Sequence, residues 1–500
     1  MIYDILLALY FVGTLVGLWF VFKKAGIAPW KSIVPIYNIV VWIKMCNKKW
    51  TWYVYFLIPG INIFMFLLMV QETARVFRRY DFWEQLLAVI FPFVYLPILG
   101  LDKNMVYHDP HTDPPKKVTE ARDWLDAIAF AIVAAVIIRG NVFELYGIPS
   151  SSMEKSLLVG DHLLVSKVAY GPRVAMTPLS LPLIHNTIPG TGDRVESYLR
   201  WPQLPYHRYP GYTTIKRFDA VVFNFPEGDT TLNASPTNLV TYYDAVNNTS
   251  FESHAMLADG YRIRPVDKRQ NYIKRCIGMP GDNLQVVDRQ VYINGEPLQL
   301  PQDAQFKYFP VFRQGTNVAR LLENYGVSHE DIRRFSNGDG LPLTMEQHKA
   351  LSGSEHILSL EPYAYEDISQ GIHMFPHTKD NTWSMNNYGP VHIPAKGETL
   401  TLNDSTLPFY RRLITVYEGN TLEVKDGKIY VNGKETDSYT CRQNYYWMMG
   451  DSRHNSQDSR VWGFVPEDHI SGKARWILWS WDKDAKRLRW DRMLRNASAF

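Results

Sequence analysis

Four apolar runs crowd the first 140 residues of this 500-residue chain, and they constrain its fold more than any other feature. Residues 2–22, 51–70 and 82–101 each approach the ~20 apolar residues that cross a bilayer. Residues 124–138, between Asp123 and Arg139, form a shorter run. One such run could be the core helix of a soluble protein; four in succession predict an α-helical, multi-pass membrane region. The first run has no basic segment before it and no small-residue cleavage site behind it, so it reads as an anchor, not a removable signal. Lys23, Lys24, Lys31, Lys44, Lys48 and Lys49 follow it, and Lys103, Lys116, Lys117 and Arg122 follow the third. By the positive-inside bias those loops are cytoplasmic, and everything after Ile138 is extracytoplasmic. Arg75, Arg78 and Arg79 in the second loop, with Pro59-Gly60 and Pro92, leave re-entrant segments as the alternative for the middle pair.

From Asn141 onward short alternating runs are split by Pro, Gly, Asn and Asp, which predicts a mainly-β domain. "NLQVVDRQVYING" and "TLEVKDGKIYVNG" are near-copies, each a hairpin with Asp288 or Asp426 at its inner turn and Asn-Gly at its end. Between them, Ser328-x-x-Asp331 opens a stretch with helical spacing. The expected organisation is a membrane region of about three spans at 1–119 and a transmembrane anchor at 120–139. A β domain at 140–500 follows, with insertions near 172–214, 226–270 and 297–420. A net charge of +3 leaves no nucleic-acid footprint. Cys46, Cys276 and Cys441 have no metal-ligand spacing, so neither a metal nor another cofactor is expected. Cys276 and Cys441 read as buried thiols, with a bridge between them as the alternative.

"YGIPSSSMEKSLLVGD" places three serines before a methionine, without the G-x-S-x-G elbow of α/β-hydrolases. A nucleophilic serine needs a base. His454 and His469 flank a polar segment and read as solvated, while His108 and His111 fall on the cytoplasmic side. A lysine can serve instead if it is held neutral.

"IPSSSMEKSLLVGDHLLVSK", "FDAVVFNFP", "YIKRCIGMPGD" and "MGDSRHNSQDSRVWGFVP" occur in this order. The series resembles the boxes of bacterial type I signal peptidases, and the long insertions resemble the versions from the Bacteroidota. That resemblance implies a signal peptidase/LexA-like β fold. It also implies a Ser–Lys dyad endopeptidase that removes signal peptides from exported preproteins. By the match Ser152 is the nucleophile, Lys274 the general base, and Ser150 the hydroxyl that completes the oxyanion hole. Ser456 is expected to bond the neutral amine of Lys274, while Asp458 with Arg460, and Asp451 with Arg275, brace the site. Ser151 sits where relatives usually carry a small residue. Tyr146, Ile148, Met153, Tyr272 and Ile273 are expected to line shallow pockets for the small residues at the first and third positions before the cut. Preproteins, membrane lipids and the secretion translocon are the implied partners, on the periplasmic side of the inner membrane.

The residues suit that chemistry. Lowering a lysine pKa from ~10.4 by 2–3 units takes roughly 3–4 kcal/mol of disfavoured charge, which desolvation can supply. On a strand Lys274 shares its face with Tyr272 and Cys276, while Ile273 and Arg275 point the other way. Two other classes compete: a LexA-like autoprotease, which needs a DNA-binding head, and a non-catalytic binding protein, against which intact Ser152, Lys274, Ser150 and Ser456 argue.

Overall fold

The computed structural model describes residues 2–57, 61–114, 128, 131–132, 135–181, 183–191, 195–233, 241–247, 251–363, 374–378, 380–483 and 485–497. It divides into two compact units, Met1–Val142 and Phe143–Phe500.

The first unit is helical. The helix Ile2–Lys24 packs along Pro92–Leu101, and glycines allow the approach. A Cβ on Gly13 would lie 2.8 Å from Phe93 Cβ, one on Gly17 2.6 Å from Leu96 Cβ, and one on Gly100 2.4 Å from Phe20 Cβ. Small residues four apart that admit a neighbouring backbone are the usual device for close helix pairs in an apolar medium. Trp42 Nε1 donates to Thr73 Oγ1 at 2.7 Å, which satisfies two polar groups inside the apolar cluster.

The apolar runs fold differently from four straight spans. The run at 51–70 divides between the helices Thr51–Leu57 and Ile61–Val76. The run at 82–101 is two helices, Phe82–Ile90 and Pro92–Leu101, bent by 117°. Proline disfavours the α conformation at the residue before it, and Phe91 sits at φ −124°, ψ 55°, outside the helical region. Among the described residues no single helix is long and apolar enough to cross a membrane; the bent pair could, by length and composition. Most of the fourth run lies outside the described residues.

The second unit is mainly β. Its largest sheet has the strand order Phe143–Gly147, Asp161–Ser166, Ile470–Asp482, Ala220–Asn224, Asn271–Gly278, Tyr445–Met449, Val465–Pro466, all antiparallel. Alternation along Asn271–Gly278 assigns its side chains to two cores. Tyr272 and Cys276 pack with Val221, Phe223 and Trp462, while Ile273 packs with Ile148, Met153 and Val222.

The near-copies are matching three-strand meanders, Asn283–Val287/Gln290–Ile293/Glu296–Pro297 and Leu422–Lys425/Lys428–Val431/Lys434–Glu435. Their tight turns take positive φ at Asp288-Arg289, Asn294-Gly295, Asp426-Gly427 and Asn432-Gly433, the left-handed geometry that two-residue hairpins require. Residues 305–363 form a small subdomain. The strand Gln305–Phe312 lies between Leu341–Thr344 and Ile357–Pro362, with the helices Val318–Asn324, His329–Ser336 and Met345–Ser352 beside them. Ser328 Oγ caps His329–Ser336 by accepting from Asp331 N–H, and a capping box of Thr344 and Gln347 starts the last helix. All three cysteines are free and buried.

Candidate active site

Ser151–Met153 form a single 3₁₀ turn with all three side chains buried, placed between the strands Phe143–Gly147 and Asp161–Ser166. Lys274 lies in the middle of Asn271–Gly278, with Val221 as its cross-strand partner. Its Nζ is 2.7 Å from Ser152 Oγ across 122 residues of sequence. The serine is 9% exposed and the lysine 4%. The stem of Lys274 places the amine over the Tyr272 ring, 5.7 Å from its centroid. Burial lowers the lysine pKa to about 8, against the opposing pull of Asp458 and Asp451.

Those two carboxylates are matched by arginines of their own. Arg275 Nε donates to Asp451 Oδ1 at 2.7 Å and Nη2 to Oδ2 at 2.6 Å, with both side chains fully buried. Arg275 also donates to Phe218 O at 2.8 Å and Ser156 Oγ at 3.1 Å, which leaves no face of the guanidinium idle. Arg460 Nε and Nη2 donate to Asp458 at 3.0 and 2.8 Å, and Nη2 reaches Arg453 O at 2.6 Å. Burial works to raise the Asp458 pKa, but Arg460 overcomes it and holds the carboxyl below its usual range. Each arginine offsets part of the negative charge that these carboxylates direct at Lys274, so burial prevails and the amine's pKa falls.

Gly450 joins these parts, and the sequence reading passed over it. Its N–H donates to Asp458 Oδ2 at 3.1 Å, and an added Cβ would stand 2.2 Å from Ser456 Oγ and 2.6 Å from Ser152 O. Only a residue without a side chain lets the two serines close on this backbone. Ser452 N–H then donates to Ser152 O at 3.1 Å.

Several expected contacts take another form. Ser456, expected to bond Lys274, donates to Gln457 O at 3.4 Å instead. Tyr146, Ile148, Met153 and Ile273 share one apolar cluster, but Tyr272 does not join them. It lies on the opposite face, against Phe225 and Trp462, because adjacent strand residues point to opposite sides of a sheet. Ser150 precedes the turn in extended conformation, exposed and making no capping bond.

His454 and His469 are not solvated. Burial lowers their pKa to about 3 and about 4, so both are neutral imidazoles at pH 7. His454 Nδ1 accepts from Lys307 N–H at 3.1 Å, which puts the ring proton on Nε2, 2.7 Å from Asn386 Oδ1. His469 is held between Asp468 and Arg269. Among the described residues no cluster of His, Cys, Asp or Glu could hold a metal ion.

A buried serine hydroxyl lies within hydrogen-bond distance of a buried lysine amine whose pKa burial has lowered to about 8. A family model for signal peptidase, peptidase S26, matches residues 121–343 and 374–479, well over half of the chain. A second model, a family of unknown function (DUF5684), matches residues 30–110. Signal peptidase I of Haemophilus influenzae is 24% identical over 374 residues, 74% of this chain and 72% of that protein. Signal peptidase I of Buchnera aphidicola is 24% identical over 76% of this chain and 82% of its own length. Signal peptidase I of Aquifex aeolicus reaches 60% identity over 42 residues, 8% of this chain and 16% of that protein. The chain belongs to the signal peptidase family, peptidase S26, and is a serine peptidase of that family.

Proposed function

We propose that the chain is a membrane-anchored endopeptidase that cleaves N-terminal signal peptides from exported preproteins, with Ser152 as nucleophile and Lys274 as general base. The 2.7 Å contact between a buried hydroxyl and a buried amine carries this reading. In its neutral form Lys274 accepts the Ser152 proton as Oγ attacks the carbonyl carbon of the residue before the cut. Ser150 donates to the oxygen that becomes negative. The lysine ammonium then protonates the departing amine, leaving an acyl-serine. Water repeats the sequence, giving its proton to Lys274 and releasing the signal peptide's new carboxylate.

Substrate selection follows from the walls of the site. Small residues at the first and third positions before the cut, as in Ala-x-Ala, are assigned to the apolar cluster of Tyr146, Ile148, Met153 and Ile273 beside the serine turn. The strand Phe143–Gly147 is the edge of its sheet, where an extended peptide can add by backbone pairing. Leu145 and Trp476, both exposed, flank Leu164 in register, and Trp479 stacks on His162 nearby. Such a row suits a headgroup interface, where tryptophan is enriched. We read the first 119 residues as a multi-pass anchor, the domain from 140 as extracytoplasmic, and lipids and the translocon as partners. The self-cleaving repressor alternative needs a DNA-binding head, where this sequence carries apolar runs.

Incubating the detergent-purified full chain with a preprotein tests the assignment. One discrete cut after a small residue is expected from the native chain. Ser152→Ala should lose that cleavage by a factor on the order of 10⁴ or more while staying folded. Cleavage at near-native rate by Ser152→Ala would refute the nucleophile.

A further inference from the structure

Ser151, next to the nucleophile, accepts two hydrogen bonds through its buried hydroxyl. Asn455 Nδ2 donates at 2.7 Å and Arg334 Nη1 at 3.2 Å. Arg334 Nη2 donates in turn to Asn455 Oδ1 at 3.0 Å, which closes a ring of three hydrogen bonds. Its corners come from the serine turn, the loop after Gly450, and the helix His329–Ser336 of the 305–363 subdomain.

That subdomain holds the same loop along its other side. Gln305 N–H donates to Asp451 O at 2.8 Å, Arg453 N–H to Gln305 O at 2.9 Å, and Lys307 N–H to His454 Nδ1 at 3.1 Å. Lys155 Nζ adds a bond from just beyond the turn to Gly326 O at 2.6 Å. The loop so braced is the one whose Ser452 N–H holds the carbonyl of Ser152. The nucleophile is therefore fixed from both sides by groups that the subdomain supports.

We propose that Arg334 is a positioning residue for peptide cleavage: by bridging Ser151 and Asn455 it keeps Ser152 in register with Lys274. This rests on the reading of Ser152 as nucleophile. A planar guanidinium presents two donors in fixed relation, one for each acceptor, and a lysine ammonium cannot reproduce that fork. The side chain of Arg334 is 37% exposed, and the carboxylate it pairs with, Asp339 Oδ2, is 3.9 Å away. Such an exposed pair contributes little to overall stability. Its effect is expected in alignment, where a displacement of about 1 Å can cost on the order of 10²-fold in rate.

The test uses the full chain and a preprotein, with kcat, KM and Tm measured for Arg334→Met, Arg334→Lys, Ser151→Ala and the double variant Arg334→Met/Ser151→Ala. Arg334→Met should lower kcat about tenfold to a hundredfold. KM should stay within about twofold, the pattern of a lost transition-state alignment, and Tm close to native. Lysine should not restore the rate, Ser151→Ala should match the loss, and the double variant should be no slower than either single one. If Arg334→Met does not fold, Ser151→Ala gives the same readout. Native kcat in these variants, a loss confined to KM, full rescue by lysine, or losses that multiply would overturn the proposal. Ser152→Ala is measured beside them. If it cleaves, the nucleophile assignment is wrong; if it is dead while Arg334→Met is fully active, only the positioning role is wrong.

Discussion

Lys274→Met is expected to abolish cleavage and, at neutral pH, to make the catalytic domain more stable. Burial lowers the lysine pKa to about 8 from its ordinary 10.5. Below pH 8 the amine is protonated in both the folded and unfolded chain, and the folded state carries the full cost of the buried charge. Between about 8 and 10.5 the unfolded chain binds the proton and the folded chain does not, so stability rises with pH across that window. The whole difference is on the order of 3 kcal/mol, at about 1.4 kcal/mol per pKa unit. Methionine fills similar space without charge, so the variant should recover up to this amount at pH 7 and nothing above about pH 10.5. Calorimetry at both pH values checks it. A variant less stable than the native chain at pH 7 would mean that the amine sits in its site at no cost.

Arg275→Met should be the most damaging change near the site. It strands the Asp451 carboxylate, fully buried, and leaves Phe218 O and Ser156 Oγ without their guanidinium donors. Removing one partner of a buried ion pair typically costs about 3–5 kcal/mol. The double variant Arg275→Met/Asp451→Leu should lose clearly less than the sum of the two single changes, because no lone charge remains. Urea unfolding of the four proteins measures this coupling. Additive losses would show that the pair is not energetically linked.

What the sequence disclosed followed from local rules. Strand alternation placed Lys274 with Tyr272 and Cys276 and turned Ile273 away: the amine lies over the Tyr272 ring, and Ile273 packs in the other core. The same alternation should have kept Tyr272 out of the pocket with Ile273. Ser328 and Asp331, and the Asp and Asn-Gly turns, marked a helix start and two hairpins because capping and left-handed turns depend on few residues. Pro92 already signalled the break that bends the third apolar run.

Long-range relations were not legible. Arg334 reads as a basic residue near the end of an exposed helix, and nothing local joins it to Ser151, 183 residues earlier. His454 and His469 stand among polar neighbours that suggest solvent, yet both rings fold inward, one between Lys307 N–H and Asn386, the other between Asp468 and Arg269. Gly450 had a signal, its place before Asp451 in the last box, but its need appears only when Ser152 and Ser456 close upon it.

The central claim is that a buried, neutral lysine activates Ser152, and the pH dependence of kcat/KM for preprotein cleavage tests it most directly. This quantity reports the free enzyme's essential base. The rate is expected to rise with pH through a single ionisation near 8, where burial places Lys274. A midpoint between 6 and 7, in the range of histidine, or no dependence between pH 6 and 9, would contradict the account.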